Sequence, residues 1–264
     1  MKTTLLISTY NWPQALGKVL DSVLRQTVLP DEVVIADDGS GEETRRLIAD
    51  KAQGFPVPLV HVWHEDKGFR KTLILNKAIA RATGDYIMQI DGDVVLERHF
   101  VADHLEVAEE GCFVCGSRVK LTPAPTQWLL SSSSSTLHWW SMPPAFVLNS
   151  LRSRVLRRYF AFRYARKLDH LRGSNMAFWK ADLVRVNGYN ADLTQWGHED
   201  TEVAYRLHFA GVRKKALKMG GVQYHLYHKE ASRSNEGRHN EELRRVLDGR
   251  IAWCDNGLQQ LSAD

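Results

Sequence analysis

The chain has 264 residues, 44% hydrophobic and 25% charged, an ordinary soluble composition that can bury a proper core as one large α/β domain or two small ones. Its 35 Lys and Arg stand against 31 Asp and Glu, and a net charge of +4 spread over this length is too small to argue for a nucleic-acid partner. Three cysteines, Cys112, Cys115 and Cys254, make no disulfide framework and suit a reducing compartment, so the expected location is cytoplasmic. The opening MKTTLLISTYNW is too short and too polar for a signal peptide or a spanning helix, so neither export nor a membrane span is expected.

Thr4 to Ser8 read as a buried strand, and Leu16, Val19, Leu20, Val23 and Leu24 then recur at helical spacing. Residues 33–36, VVIA, are a second apolar run, ending in DDGSGEE, where Ser40 followed by Glu43 reads as a capping box for a helix through Leu47 and Ile48. VPLVHVWH is a third strand, RKTLILNKAIARATG a helix stopped by Gly84, and DYIMQI a fourth strand. This alternation implies a mostly parallel sheet with helices on both faces, whose ligands bind beyond the carboxyl ends of the strands. After residue 120, TPAPTQWLLSSSSSTLHWWSMPP carries four prolines, five consecutive serines and three tryptophans, and reads as a long loop with exposed aromatics. Regular structure resumes near SNMAFWKADLVRV. EDTEVAYRLHFAG then makes a helix ending at Gly211, and a closing helix runs through Leu243, Val246, Leu247 and Ile251.

Polar clusters follow three of the expected strands: Thr9, Tyr10 and Asn11; Asp37, Asp38, Gly39 and Ser40; Asp91, Gly92 and Asp93. Neither G-x-G-x-x-G nor G-x-x-x-x-G-K-[ST] occurs, so a nucleotide would be held in another way. Residues two apart on a strand share a face, so Asp91 and Asp93 can address one ligand if strand geometry persists through Gly92. Two hard carboxylates suit Mg2+ or Mn2+, and a solvated Asp-Gly turn fits the same letters.

Three ordered strings carry a resemblance: LLISTYNWPQALGKVLDSVLRQTVLPDEVVIADDGSGEET, KGFRKTLILNKAIARATGDYIMQIDGDVVL and WGHEDTEVAYRL. With them the chain resembles glycosyltransferase family 2, the nucleotide-sugar transferases of GT-A fold, over residues 3–120 and 172–230. The resemblance implies an α/β, Rossmann-like, mostly parallel sheet with flanking helices and a carboxyl-terminal acceptor-binding part. Residues 1–120 would bind the nucleotide sugar and 121–264 the acceptor, in one continuous domain. It further implies that Thr9, Tyr10, Asn11, Asp38 and the Phe69, Arg70 pair hold the nucleotide, that Asp91 and Asp93 form the metal-binding D-x-D motif, and that uridine diphosphate carries the sugar. The later block is similar to the carboxyl-terminal segment of the β-1,4-galactosyltransferase type, in which a Trp-Gly-x-Glu-Asp string supplies acceptor-side carboxylates and a downstream histidine completes the metal site. The matching residues are Trp196, Gly197, Glu199 and Asp200, then His228, with His225 close enough to assist. His198 departs from that string and has no assigned role.

The chemistry fits those assignments. Sugar transfer leaves negative charge on the departing diphosphate, which a divalent ion on Asp93 and His228 would stabilise, with Asp91 assisting. The acceptor hydroxyl needs a base, assigned to Asp200, with Glu199 orienting the acceptor; one base on one face means inversion. Each residue also has a plainer reading. Glu199 and Asp200 suit a helix N-terminus, His225 and His228 suit packing, and Asp37 and Asp38 suit a turn. HEDTE lacks the second histidine of H-E-x-x-H, and Cys112 and Cys115 lie in an expected strand with no second pair, so they read as core.

Residues 146–172 are basic and aromatic. Arg152, Arg154, Arg157, Arg158, Arg163, Arg166, Lys167 and Arg172 stand against one acid, Asp169. Such a helical stretch lies on an anionic bilayer surface as readily as it forms a solvated charged face. The first option makes the protein peripheral on the inner face of the cytoplasmic membrane and its acceptor a lipid-linked glycan, such as a lipopolysaccharide core. The alternative function is a non-catalytic carbohydrate-binding or membrane-scaffold module of the same fold. The presence of every catalytic letter argues against it.

Overall fold

The computed structural model describes residues 1–132, 137, 144–165, 168, 171–194, 197–228 and 236–262. Trp139, Trp140, Arg166, Lys167, Asp169 and Trp196 lie outside them. The amino-terminal half alternates as expected: β1 (Thr3–Thr9), α1 (Pro13–Leu24), β2 (Glu32–Asp37), α2 (Glu42–Ala52), β3 (Leu59–Trp63), α3 (Lys71–Arg81), β4 (Tyr86–Asp91), β5 (Val94–Leu96), α4 (Phe100–Val107) and β6 (Cys112–Gly116). There follow β7 (Val119–Lys120), α5 (Pro123–Ser131), α6 (Pro144–Ser150), α7 (Arg154–Arg163), β8 (Met176–Trp179), α8 (Lys180–Arg185), α9 (Glu199–Phe209), β9 (Arg213–Leu217), β10 (Gln223–His225) and α10 (Glu236–Gly249).

The main sheet has the order β3-β2-β1-β4-β8-β6-β9, parallel except where β8 runs against β4 and β6. Its strands alternate between two cores, as a period of two requires. Leu5, Ile7, Val33, Ile35, Tyr86, Met88 and Ile90 pack against α1 and α4, while Leu6, Val34, Ala36 and Ile87 pack against α3, α8 and α9. β1 connects through α1 to β2 on one side, and β4 joins it on the other, so the order reverses between β1 and β4. A reversal of that kind opens a crevice beyond the strands' carboxyl ends. A second sheet, β5-β10-β7, and α5 share a third apolar cluster with Ala15 of α1. Strands from both halves of the chain complete each sheet.

Four local expectations need correcting. Ser40 does not cap α2: its Oγ accepts from Asn11 N at 2.8 Å, and Gly41 occupies the cap position. α3 ends at Arg81, and Gly84 packs tightly on β1 instead, where a Cβ would come within 2.5 Å of Thr4 Oγ1. Residues 123–131, read as loop, are the helix α5. Its prolines 123 and 125 sit in the first turn, where the missing N–H groups would have no intrahelical partner. Strand geometry also breaks at Gly92, because β4 ends at Asp91. Gly92 N donates to Ser8 O at 2.6 Å, and a Cβ there would lie 2.9 Å from Thr9 Oγ1, so the crowding that demands glycine comes from β1.

The basic stretch is built differently from its letters. Arg152 forms a bidentate pair with Asp103 at 2.7 and 2.8 Å, Arg154 and Arg158 reach Glu106, and buried Arg157 bonds both acids. Much of the positive charge therefore serves to fasten α7 to α4.

Candidate active site

The crevice between β1 and β4 opens into a cavity of about 940 Å3. It is lined by the loop Ser8 to Trp12, by Asp38, Phe69 and Lys71, by Asp91 to Asp93, by Arg118 to Leu121 without Val119, and by His225 to His228. Three sequence-distant loops are tied together here by hydrogen bonds. Asp38 N donates to Thr9 O at 3.0 Å, and Asn11, with φ of 45°, accepts from Gly41 N through Oδ1 at 2.9 Å. Tyr10 OH donates to Asp66 at 2.8 Å. Both oxygens of buried Asp38 are engaged, Oδ1 with His64 Nε2 at 2.6 Å and Oδ2 with the Arg70 N–H at 2.9 Å. Arg70 itself does not line the cavity; its guanidinium donates to Glu65 O. Phe69 is partly exposed on the cavity wall.

The two acids of D-x-D face different partners. Asp91 Oδ1 accepts from Ser8 Oγ at 2.8 Å and Lys71 Nζ at 2.7 Å. Burial disfavours its charge, but Lys71 and Ser8 more than offset this and its pKa is lowered. Asp93 Oδ2 lies 3.1 Å from His228 Nε2 and 3.5 Å from His225 Nε2, while Asp93 Oδ1 is buried without a hydrogen-bond partner. Backbone register creates this meeting: Asp93 immediately precedes β5, His225 pairs with Val94 across β5 and β10, and Leu226 N donates to Asp93 O at 2.9 Å. The ligand atoms of Asp93, His225 and His228 all fall within 4.8 Å of one another. An orphaned carboxylate oxygen beside two imidazoles is a donor set that fits a divalent ion such as Mn2+. Burial also holds the His225 imidazole below its ordinary pKa, favouring the neutral form a metal needs.

Glu199 and Asp200 start α9, so the helix-terminus reading and the acceptor reading describe one place. The chain enters α9 through Gly197 (φ 118°) and His198 (φ 66°), a left-handed pair that turns it sharply. This gives His198 a backbone role. α9 is held by buried Arg206, which bonds Glu202 at 2.7 Å and donates to the Val186 and Gly188 carbonyls. Asp200 Oδ2 accepts from Gly173 N at 2.8 Å. Neither acid is among the cavity-lining residues, and Lys71 connects Glu199 to it, with Nζ 3.9 Å from Glu199 Oε1. Burial raises the pKa of Glu199, Lys71 opposes this, and Asp200 adds to it. Lys71→Met removes the opposing cation. The acid limb of any pH–rate profile governed by Glu199 is expected to move to higher pH, and an unmoved limb would show that Lys71 does not tune this acid.

Reading the letters found Asp93, His225 and His228 together but missed Lys71, Ser8, Trp12 and Arg118. Lys71 sits one place beyond the Phe69, Arg70 pair, and only the fold shows that it reaches both Asp91 and Glu199.

The model of Glycosyl transferase family 2 matches residues 4–178, and that of the N-terminal domain of galactosyltransferase matches residues 154–229. A chondroitin synthase of Escherichia coli is 24% identical over 239 residues, covering 84% of this chain; the chain spans 34% of that protein's length. Among solved structures, TarS 1–349 of S. aureus in complex with UDP aligns with a TM-score of 0.63 at 16% identity, over 98% of this chain and 68% of the other. The mannosyltransferase PcManGT of Pyrobaculum calidifontis, in complex with GDP-Man and Mn2+, aligns with a TM-score of 0.62 at 21% identity, over 94% and 64%. At these identities the structural likeness establishes the GT-A fold and no more.

Proposed function

Since this chain belongs to glycosyl transferase family 2, we propose that it transfers a sugar from a UDP-sugar, with inversion, to a hydroxyl of a glycan acceptor. The observation that carries this is the cluster Asp93, His225 and His228 at the β1/β4 crevice, with the Glu199, Asp200 pair one lysine away. UDP in the TarS structure and GDP-Man with Mn2+ in the PcManGT structure support a nucleotide-sugar donor with a divalent ion. Asp93, His225 and His228 would hold that ion, which when bound supplies Lewis-acid stabilisation of the diphosphate. Thr9, Tyr10, Asn11, Asp38 and Phe69 would bind the nucleoside, the ring of Phe69 offering a stacking face. Lys71 keeps Asp91 ionised and in place on the cavity wall. Asp200 takes the proton of the acceptor hydroxyl as that oxygen attacks the anomeric carbon, and Glu199 orients the hydroxyl by hydrogen bonding. Product analysis after incubation with UDP-Glc, UDP-Gal, UDP-GlcNAc, UDP-GalNAc and GDP-Man tests the donor. Turnover of one UDP-sugar supports the reading, and turnover of GDP-Man alone overturns the choice of uridine.

We further infer an acceptor carried on lipid at an anionic membrane surface. No helix of the described residues is long and apolar enough to cross a membrane. Leu148 (69% exposed) on α6, Leu151 in the connection, and Val155 (78% exposed) and Tyr159 on α7 leave apolar surface beside the largely exposed Arg154 and Arg158. Apolar area rimmed by cations suits an interfacial helix. Flotation with vesicles containing anionic lipid is expected to carry the protein upward, less so for Val155→Asp with Tyr159→Asp. Equal recovery in the soluble fraction with and without anionic lipid would contradict this.

A further inference from the structure

On the cavity wall, Asp38, Asp91 and Lys71 have hydrogen-bond or ion-pair partners, whereas the guanidinium of Arg118 has none among the described residues. Lys71 is committed to Asp91 and Glu199. Among the described residues, the guanidinium of Arg118 makes no ion pair and no hydrogen bond, and its Nε is buried without a partner. A half-buried guanidinium whose Nε–H is shielded from water and has no acceptor carries a cost that a ligand would relieve. Burial and the nearby Arg172 lower its pKa, against the pull of Asp91, Asp93 and Asp200, so the protein leaves its charge undercompensated.

Its place in the fold says what would complete it. Arg118 immediately precedes β7, whose Lys120 is in register with His225 of β10. Residues two apart on an extended chain share a face, and both Arg118 and Lys120 line the cavity beside the Asp93, His225, His228 cluster. The cation therefore stands on the cavity wall beside the proposed metal site.

We propose that Arg118 is a phosphate-binding catalytic residue, which grips the terminal phosphate of the donor's diphosphate and stabilises the charge gained there as the sugar departs. This rests on the nucleotide-sugar reading. In the step, the bond between the anomeric carbon and the phosphate oxygen breaks with its electron pair passing to that oxygen. The acceptor oxygen bonds to the anomeric carbon, and its proton goes to Asp200. The departing diphosphate thus gains a negative charge, and a planar guanidinium fixed beside it favours the product side of that change.

The test is titration calorimetry of UDP and of UMP, with Mn2+ present, into the wild type, Arg118→Ala and Arg118→Lys, each checked for an unchanged thermal melt. UDP affinity is expected to fall about 10–100-fold in Arg118→Ala and less in Arg118→Lys, while UMP, which lacks the terminal phosphate, changes little. Unchanged UDP affinity in Arg118→Ala, or an equal fall for UDP and UMP, overturns the assignment and leaves the donor reading standing. A wild type that does not bind UDP overturns the donor reading, and the role of Arg118 with it.

Discussion

Asp200→Asn is expected to bind UDP and Mn2+ as the wild type does and to lose transfer by a factor on the order of 10²–10⁴, the usual contribution of a positioned general base. The geometry separates these two effects. Asp200 is held from outside the cavity, by Gly173 N at 2.8 Å, and does not belong to the cluster that would take the metal. The amide of Asn is nearly the same size and can still accept from Gly173 N, so α9 and its Arg206 anchor are undisturbed. What disappears is a carboxylate able to take the acceptor's proton. Single-turnover transfer measured beside UDP binding gives the result directly. Normal transfer by the variant would move the base to another residue, with Glu199 the nearest in hand.

Asp93→Asn is expected to have the complementary and larger effect, removing metal-dependent UDP binding together with turnover. Asp93 Oδ2 faces both imidazoles, and the buried Oδ1 has no protein partner to substitute for an ion. An amide there leaves the two histidines as the only strong ligands. Metal affinity should fall by more than the roughly 10–100-fold that loss of an outer-shell partner costs. Asp91→Asn should behave differently, since Asp91 is already bonded to Lys71 and Ser8 and its loss frees a buried cation. Metal binding to Asp93→Asn as tight as to the wild type would remove Asp93 from the ligand set.

The amino-terminal half was legible because its signals are local. Leu16, Val19, Leu20 and Val23 mark α1 by spacing alone, and the runs at Leu5, Val33 and Ile87 mark strands that are buried on both faces. The site was half legible for the same reason. D-x-D and the two histidines are short strings at strand ends, so their letters and their positions agree. Tertiary contacts overrode the rest. Ser40 and Glu43 have capping letters, but Asn11 from another loop takes the serine hydroxyl. The arginines of α7 read as a free cationic face until Asp103 and Glu106, about fifty positions earlier, come to meet them. α5 was hidden by prolines that a helix tolerates only in its first turn. Arg118 carries no motif at all, and its meaning comes from what fails to approach it.

The central claim is that one ion sits on Asp93, His225 and His228 and meets the donor's diphosphate there. Pulsed electron paramagnetic resonance of Mn2+ on protein labelled with 15N-histidine tests it most directly. The account predicts coupling to two imidazole nitrogens, reduced to one in His228→Ala, and a new phosphorus coupling when UDP is added. Bound Mn2+ with no histidine nitrogen coupling, or with no phosphorus coupling at saturating UDP, would contradict it.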